Sequence, residues 1–242
     1  MNTDKHESDD IELNPPSAKR VAQRALVLAS LACRGAIEPD AGNQQAEQFR
    51  TKVVDWLKQC GAESEVEPKE SDILSSSLGK LSAEQHSTAT WQAEGLAILA
   101  WALKRAELPD YEEYSDAKAL ADSLGWLADD GVKLVQSAEL RTATEIKSLA
   151  DKLFALDWRL ADHQLNKRPL NFEEFAKTAW FGPLNVEGLR FVNGDLDVGG
   201  VALSEANETS RGVCRLMTQQ RRRAAEWLHG QTAIYSEVDL ST

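Results

Sequence analysis

This sequence predicts a mainly α fold: an orthogonal helical bundle in one domain over residues 17–242, with a single small β-hairpin in the C-terminal third. Three observations predict it. Apolar residues recur every three or four positions through several long stretches, and the strongest of these begin at capping residues. Only one stretch, GLRFVNGDLDVGG, alternates apolar and polar side chains around a two-residue turn.

Residues 1–14 are charged and poor in apolar side chains, and Pro15-Pro16 follows, a pair that cannot sit inside a helix. Residues 1–16 are therefore expected to be a disordered acidic tail. Ser17 reads as an N-cap, after which Val21, Ala25, Leu28 and Ala32 mark a first helix that Gly35 can stop. A second helix is expected over 44–60, carrying Phe49, Val53, Val54, Trp56 and Leu57 and ending at Gly61. The Glu-rich stretch 62–71, with Pro68, reads as a connector, and Ile73, Leu74 and Leu78 as a short helical piece. Ser82 and Gln85 form a capping-box pattern opening a helix through Trp91 and Leu103, closed by Pro109. Its second half is apolar all round. A helix with no face for water belongs at the centre of a bundle.

A further helix is expected over 115–127 and a long one over 138–165, where Ile146, Leu149, Leu153, Leu156 and Leu160 form one stripe with Arg141, Glu145, Lys152 and Arg159 off it. Asn193-Gly194 tolerates the positive φ angles of a type I′ turn. The hairpin it closes pairs Val192 with Asp195, Phe191 with Leu196, Arg190 with Asp197 and Leu189 with Val198, which puts the apolar residues on one face and opposite charges on the other. A last helix over 208–228 ends at Gly230, and YSEVDLST forms a short C-terminal segment.

The net charge of −12 repels phosphate backbones, and Arg221 to Arg223 form the one basic cluster, so nucleic acid is not an expected partner. The start of the chain is acidic where a signal peptide is basic and then apolar. The longest apolar run, Gly95 to Leu103, is too short to span a bilayer, so no membrane association is expected. Cys33, Cys60 and Cys214 are odd in number and far apart, which fits core thiols in a reducing, cytoplasmic setting. His6, His86, His163 and His229 stand singly, without the helical pair a metal needs. Asn193, Asp195 and Asp197 imitate the start of a calcium loop but lack its closing Glu. Nucleophile-elbow, phosphate-loop and dinucleotide fingerprints are missing too, so no cofactor or metal is expected.

One constellation stands out. Trp91, Glu94, Ile98 and Trp101 share a helical face, which half-buries a carboxylate between two indoles. Such a group needs a cation, and Arg141 at the head of the long helix is the expected partner, with Glu145 one turn on. A structural ion pair that docks two helices is the first reading; a polar-ligand pocket of Glu94, Arg141 and Glu145 is the second. Near the C-terminus, Arg222 is expected to pair with Glu226 beside Trp227, with its neighbouring arginines solvated, because consecutive helical residues point in different directions.

Several of these segments resemble a mostly bacterial family known as domain of unknown function 4272. The resemblance rests on Trp91, Glu94 and the Ala100-Trp101-Ala102-Leu103 run, and on the Leu108-Pro109-Asp110 loop. It rests further on Leu140-Arg141-Thr142 with Glu145, Asp157 and Trp158, and on Arg222, Trp227-Leu228 and the Ser236-Glu237-Val238-Asp239 tail. It departs from the family where many relatives carry a His near Arg222 or Arg223 and a Trp-Asp pair near Tyr235-Ser236. The resemblance implies a mostly helical cytoplasmic fold and no particular activity. The residues point to a non-catalytic module that recognises a protein partner or small ligand, with Trp91, Glu94, Arg141, Glu145, Arg222 and Trp227 as candidate contacts and no catalytic residue. Its expected recognition surface is formed by the long helix, the hairpin and the C-terminal segment. The rival reading is a hydrolytic enzyme with Glu94 and Glu145 as acid or base and Arg141 as anion holder.

Overall fold

The computed structural model describes residues 13–241. Most of the expected tail therefore lies outside the described residues. Its last stretch is anchored: the Asn14 N–H donates to Gly230 O at 2.9 Å and Pro16 is buried.

Helix α1, Ala18–Ile37, starts at Ser17, whose Oγ accepts from Arg20 N. It is buried on every side from Val21 to Ala32, which small residues such as Ala22, Ala25 and Ala29 permit by letting neighbours approach. Helix α2, Gln44–Gln59, is capped by Asn43. Helix α3, Pro68–Ser75, begins where the sequence reads as connector, because proline suits the first helical position and Glu67 and Glu70 cap each other reciprocally.

Helix α4, Ala83–Ala102, opens with the Ser82–Gln85 box as expected. It stops well before Pro109. Lys104 takes a left-handed φ of 60°, and the Arg105 N–H turns back to Ala100 O, a Schellman closure with lysine in the place glycine usually holds. The centre of the bundle is shared: α4 lies against α1, and at Gly95 of α4 a Cβ would overlap the Tyr235 hydroxyl.

The helix expected over 115–127 is shorter, α5 at Ala117–Ser123, and after the positive φ angles of Gly125 and Leu127 comes α6, Asp129–Ser137, in a stretch where no helix is expected. Helix α7, Ala143–Asn166, begins at a Thr142–Glu145 capping box and is followed by α8, Phe172–Thr178, which the sequence does not announce.

Strands β1 (Phe191–Val192) and β2 (Asp195–Val198) pair in the expected register, Phe191 opposite Leu196 and Val192 opposite Asp195. Asp197 N donates to Arg190 O, and the two side chains meet at 3.3 Å; the further Leu189–Val198 pair lies past the ladder, on the same apolar face. The hairpin gains a third strand, β3 at Val201–Ala202, through a Gly199-Gly200 turn with both φ angles positive. Helix α9, Glu208–His229, ends at Gly230 with φ 98°. It packs on both α4 and α7. One core fills the space around α1, α4 and α9; a second, with Leu156, Leu160, Phe172, Leu196 and Leu203, joins α7 and α8 to the sheet. Among the described residues, no helix is long and apolar enough to cross a membrane.

Candidate functional site

Glu94 is only 2% exposed, so its partners decide what it can do. The expected pair with Arg141 does not form. The carboxylate instead receives Arg221 Nη2 at 2.7 Å and Nε at 2.9 Å, together with Ser115 N at 3.0 Å and Ser115 Oγ at 2.8 Å. The remaining Arg221 donors reach Asp110 O and Glu113 O in the loop after α4. Both oxygens of Glu94 and most donors of Arg221 are thus engaged, and the pair ties α4, α9 and that loop together.

Arg141 lies nearer the surface. Its guanidinium stacks over the Trp101 ring at 4.8 Å, donates from Nε to Trp101 O and meets Glu145 at 3.2 Å. Glu145 is held by its capping role: Thr142 N and Oγ1 both donate to it, and these bonds, with Arg141, keep its carboxyl below the usual range.

The expectation that Arg221 and Arg223 are solvated also fails: Arg221 is 3% exposed and Arg223 is half-buried. Arg222 is as buried as Arg221 and binds Asp157 of α7 at 2.7 Å, with Leu240 O beyond it; the expected Glu226 contact is present at 3.6 Å. Residues a hundred degrees apart on a helix can both be buried when neighbours lie in both directions, as α4 and α7 do here. Trp227 is fully buried edge-on against Tyr235, and Trp91 is half-buried beside Tyr114. The predicted residues therefore fall into separate structural contacts. Similar locks join Arg24 to Glu70 and Arg159 to Asp195, the latter at 2.7 Å.

An open feature lies elsewhere. A groove of about 970 Å³ runs along the seam between the C-terminal half of α7 and the N-terminal half of α9. His163 and Lys167 come from α7, Ser204 from the turn after β3, and Glu208, Arg211 and Arg215 from α9, over an apolar floor of Leu160, Leu203 and Leu216. Glu94, Arg141 and Glu145 do not line it. Lys167 sits in the left-handed cap that ends α7, which swings it towards the groove mouth.

The electrostatics here differ from the locked pairs. Arg211 donates to Ala206 O, and among the described residues neither Lys167, Arg211 nor Arg215 meets a carboxylate; Arg215 Nε is buried with no partner. His163 is 8% exposed, and its Nδ1 is likewise buried without a partner among the described residues. Burial lowers its pKa first, and the Arg159 and Arg211 cations lower it further, against weaker support from Arg168 and Asp195. The sequence held a signal for this wall that a search for adjacent basic residues misses: Arg211, Arg215 and Gln219 recur at four-residue spacing, as do His163 and Lys167.

Fold and site define a mainly α protein held by buried arginine–carboxylate pairs, with one basic groove at a helix seam. The family described as a domain of unknown function, DUF4272, matches residues 6–174, well over half the chain, and the protein belongs to that family. The matched segment ends inside α8, so the sheet, α9 and the arginine wall of the groove lie beyond it. No curated protein and no solved structure matches the chain.

Proposed function

We propose that this protein is a non-catalytic recognition module that seats a small ligand in the groove between α7 and α9. The observation that carries the reading is the contrast in pairing: five buried arginines (Arg24, Arg34, Arg159, Arg221 and Arg222) are matched by carboxylates, whereas Arg211, Arg215 and Lys167, which line a groove of about 970 Å³ with Glu208 as the one carboxylate in its lining, form no ion pair among the described residues. A concave, partly apolar surface carrying a few unpaired polar groups is the usual form of a small-ligand site. Of the expected recognition surface only the long helix lines this groove; the hairpin and the C-terminal segment do not. The hydrolytic alternative has less support, because Glu94 is buried and bound to Arg221 and Ser115, and Glu145 caps a helix. Three free thiols, Cys60 and Cys214 of them buried, support a reducing, cytoplasmic setting.

A thermal-shift screen of metabolites tests this. Gly212 lines the groove and a Cβ there meets nothing within 4 Å, so Gly212→Leu is the substitution that adds bulk to the groove. The expected result is a compound that stabilises the wild type and not this variant. A compound whose effect survives Gly212→Leu and disappears in Glu94→Gln overturns the reading and returns function to Glu94.

A further inference from the structure

We infer that the ligand of the α7–α9 groove is a phosphate monoester, a small organic molecule presenting its phosphate to Arg211, Arg215 and Lys167; this rests on the groove being a binding site. Charge selects the class. Against those three cations the lining offers one carboxylate, Glu208, which leaves two positive charges over. A carboxylate ligand would cancel only one of them, while a phosphate monoester carries roughly −1.5 to −2 near neutrality. The rest of the chain works against any anion, since its net charge is −12, so affinity has to arise from local contacts.

Geometry and hydrogen bonding agree with the charge. Arg211 and Arg215 are one helical turn apart on the same face of α9, and Lys167 lies on the opposite wall, an arrangement that can contact several phosphate oxygens at once. Among the described residues the terminal nitrogens of Arg215 and Lys167 have no hydrogen-bond or ion-pair partner, which leaves them available to a ligand, whereas the unmatched His163 Nδ1 and Arg215 Nε are buried beneath the groove surface and out of its reach. The first turn of α9, a 22-residue helix, also borders the groove and contributes the positive end of its dipole. A bare phosphate would fill little of about 970 Å³. The remaining space is bounded by Leu160, Leu203 and Leu216, with Gln164 and Gln219 as polar contacts, a lining suited to an organic body with a few hydroxyl or amide groups.

The test uses the full chain and inorganic phosphate, the part of the ligand that is specified. Melting is followed with increasing sodium phosphate against sodium chloride at matched ionic strength, for the wild type and for Arg215→Gln, Lys167→Asn and Gly212→Leu. Lys167 is exposed and left-handed, a conformation asparagine accepts, so Lys167→Asn keeps the fold even if Arg215→Gln does not. Phosphate is expected to stabilise the wild type beyond chloride, and each cation variant to need at least about tenfold more phosphate for the same shift. Ribose 5-phosphate should outperform ribose in the wild type and lose that advantage in Lys167→Asn. Equal stabilisation of wild type and both cation variants means an adventitious ion only and overturns the proposal. If phosphate is inert while a neutral or cationic compound separates wild type from Gly212→Leu, the phosphate assignment falls and the groove stands. If no compound separates those two proteins, the groove reading falls with it.

Discussion

Glu94→Gln keeps the shape of the side chain and removes its charge, so it measures what the buried pair with Arg221 contributes. In the native protein, Arg221 is 3% exposed and faces that carboxylate at 2.7 Å. After the substitution a buried guanidinium faces a neutral amide in place of a carboxylate, beside the carbonyls of Asp110 and Glu113, and the amide NH2 has to point at one of the donors, Arg221 or Ser115, that the carboxylate accepted from. Breaking a buried pair from one side costs roughly 3–5 kcal/mol. For a chain of this size each kcal/mol lowers Tm by about 2–4 °C, so a fall of roughly 6–20 °C is expected. Arg141→Ala is the control. Its partners Glu107 and Glu145 are largely open to solvent, and exposed pairs are worth about 1 kcal/mol or less, with some packing over Trp101 added. Urea unfolding of Glu94→Gln, Arg221→Met and the double variant completes the cycle. The double variant should cost clearly less than the two single changes together, because it strands no charge. A loss of 1 kcal/mol or less in Glu94→Gln, additivity in the double variant, or a larger loss in Arg141→Ala than in Arg221→Met would refute the assignment.

Three other outcomes follow from the same coordinates. Gly95→Ala and Gly212→Ala gain the same helix propensity, about 1 kcal/mol, yet should move stability in opposite directions: a Cβ at Gly95 overlaps the Tyr235 hydroxyl, for a net loss of about 1–2 kcal/mol after overpacking, whereas at Gly212 it meets open space. Denaturation midpoints of the two variants decide it. His163 has a folded pKa below its unfolded value of about 6.5, so between those values the unfolded chain binds more protons and stability should rise with pH; the contribution is complete above about pH 6.5 and is lost as pH falls towards the folded value. His163→Gln should flatten that part of the stability profile, and an unchanged slope would exclude His163 as its source. Burial pushes the Cys33 thiol up to about 11 and Cys214 up to about 12. Alkylation at pH 7.5 should therefore run at least roughly a hundredfold slower on these thiols than on the urea-unfolded chain, as followed by mass spectrometry.

The parts of the fold that were legible in the sequence are those that local physics decides. The starts of α1 and α4 sit at Ser17 and Ser82, whose side chains cap their own helices, and Asn193-Gly194 sets the register of β1 and β2; the start of α7, expected at 138, lies at Ala143 because the Thr142–Glu145 box caps it there. Helices α6 and α8 were hidden because they are short and hold their shape through contacts: Gly131 admits the ring of Trp56, and the Glu173 N–H donates to Gly194 O across to the hairpin. The partner of Glu94 could not be read because Arg141 and Arg221 are equally plausible cations on paper, and only the crossing of α9 over α4 chooses between them. The groove was illegible for a related reason: its walls are contributed by two helices far apart in sequence, and neither wall is unusual alone.

Arg221 and Arg222 act as bolts set at about a right angle through one rod, one driven into α4 and the other into α7. A rod fastened that way can neither roll nor slide, since any rotation that relaxed one bolt would shear the other. The groove lies farther along the same seam, so its two walls belong to helices that the Arg222–Asp157 pair already fastens to each other. A molecule entering it would find the walls already standing, and little of its affinity would be spent on erecting them.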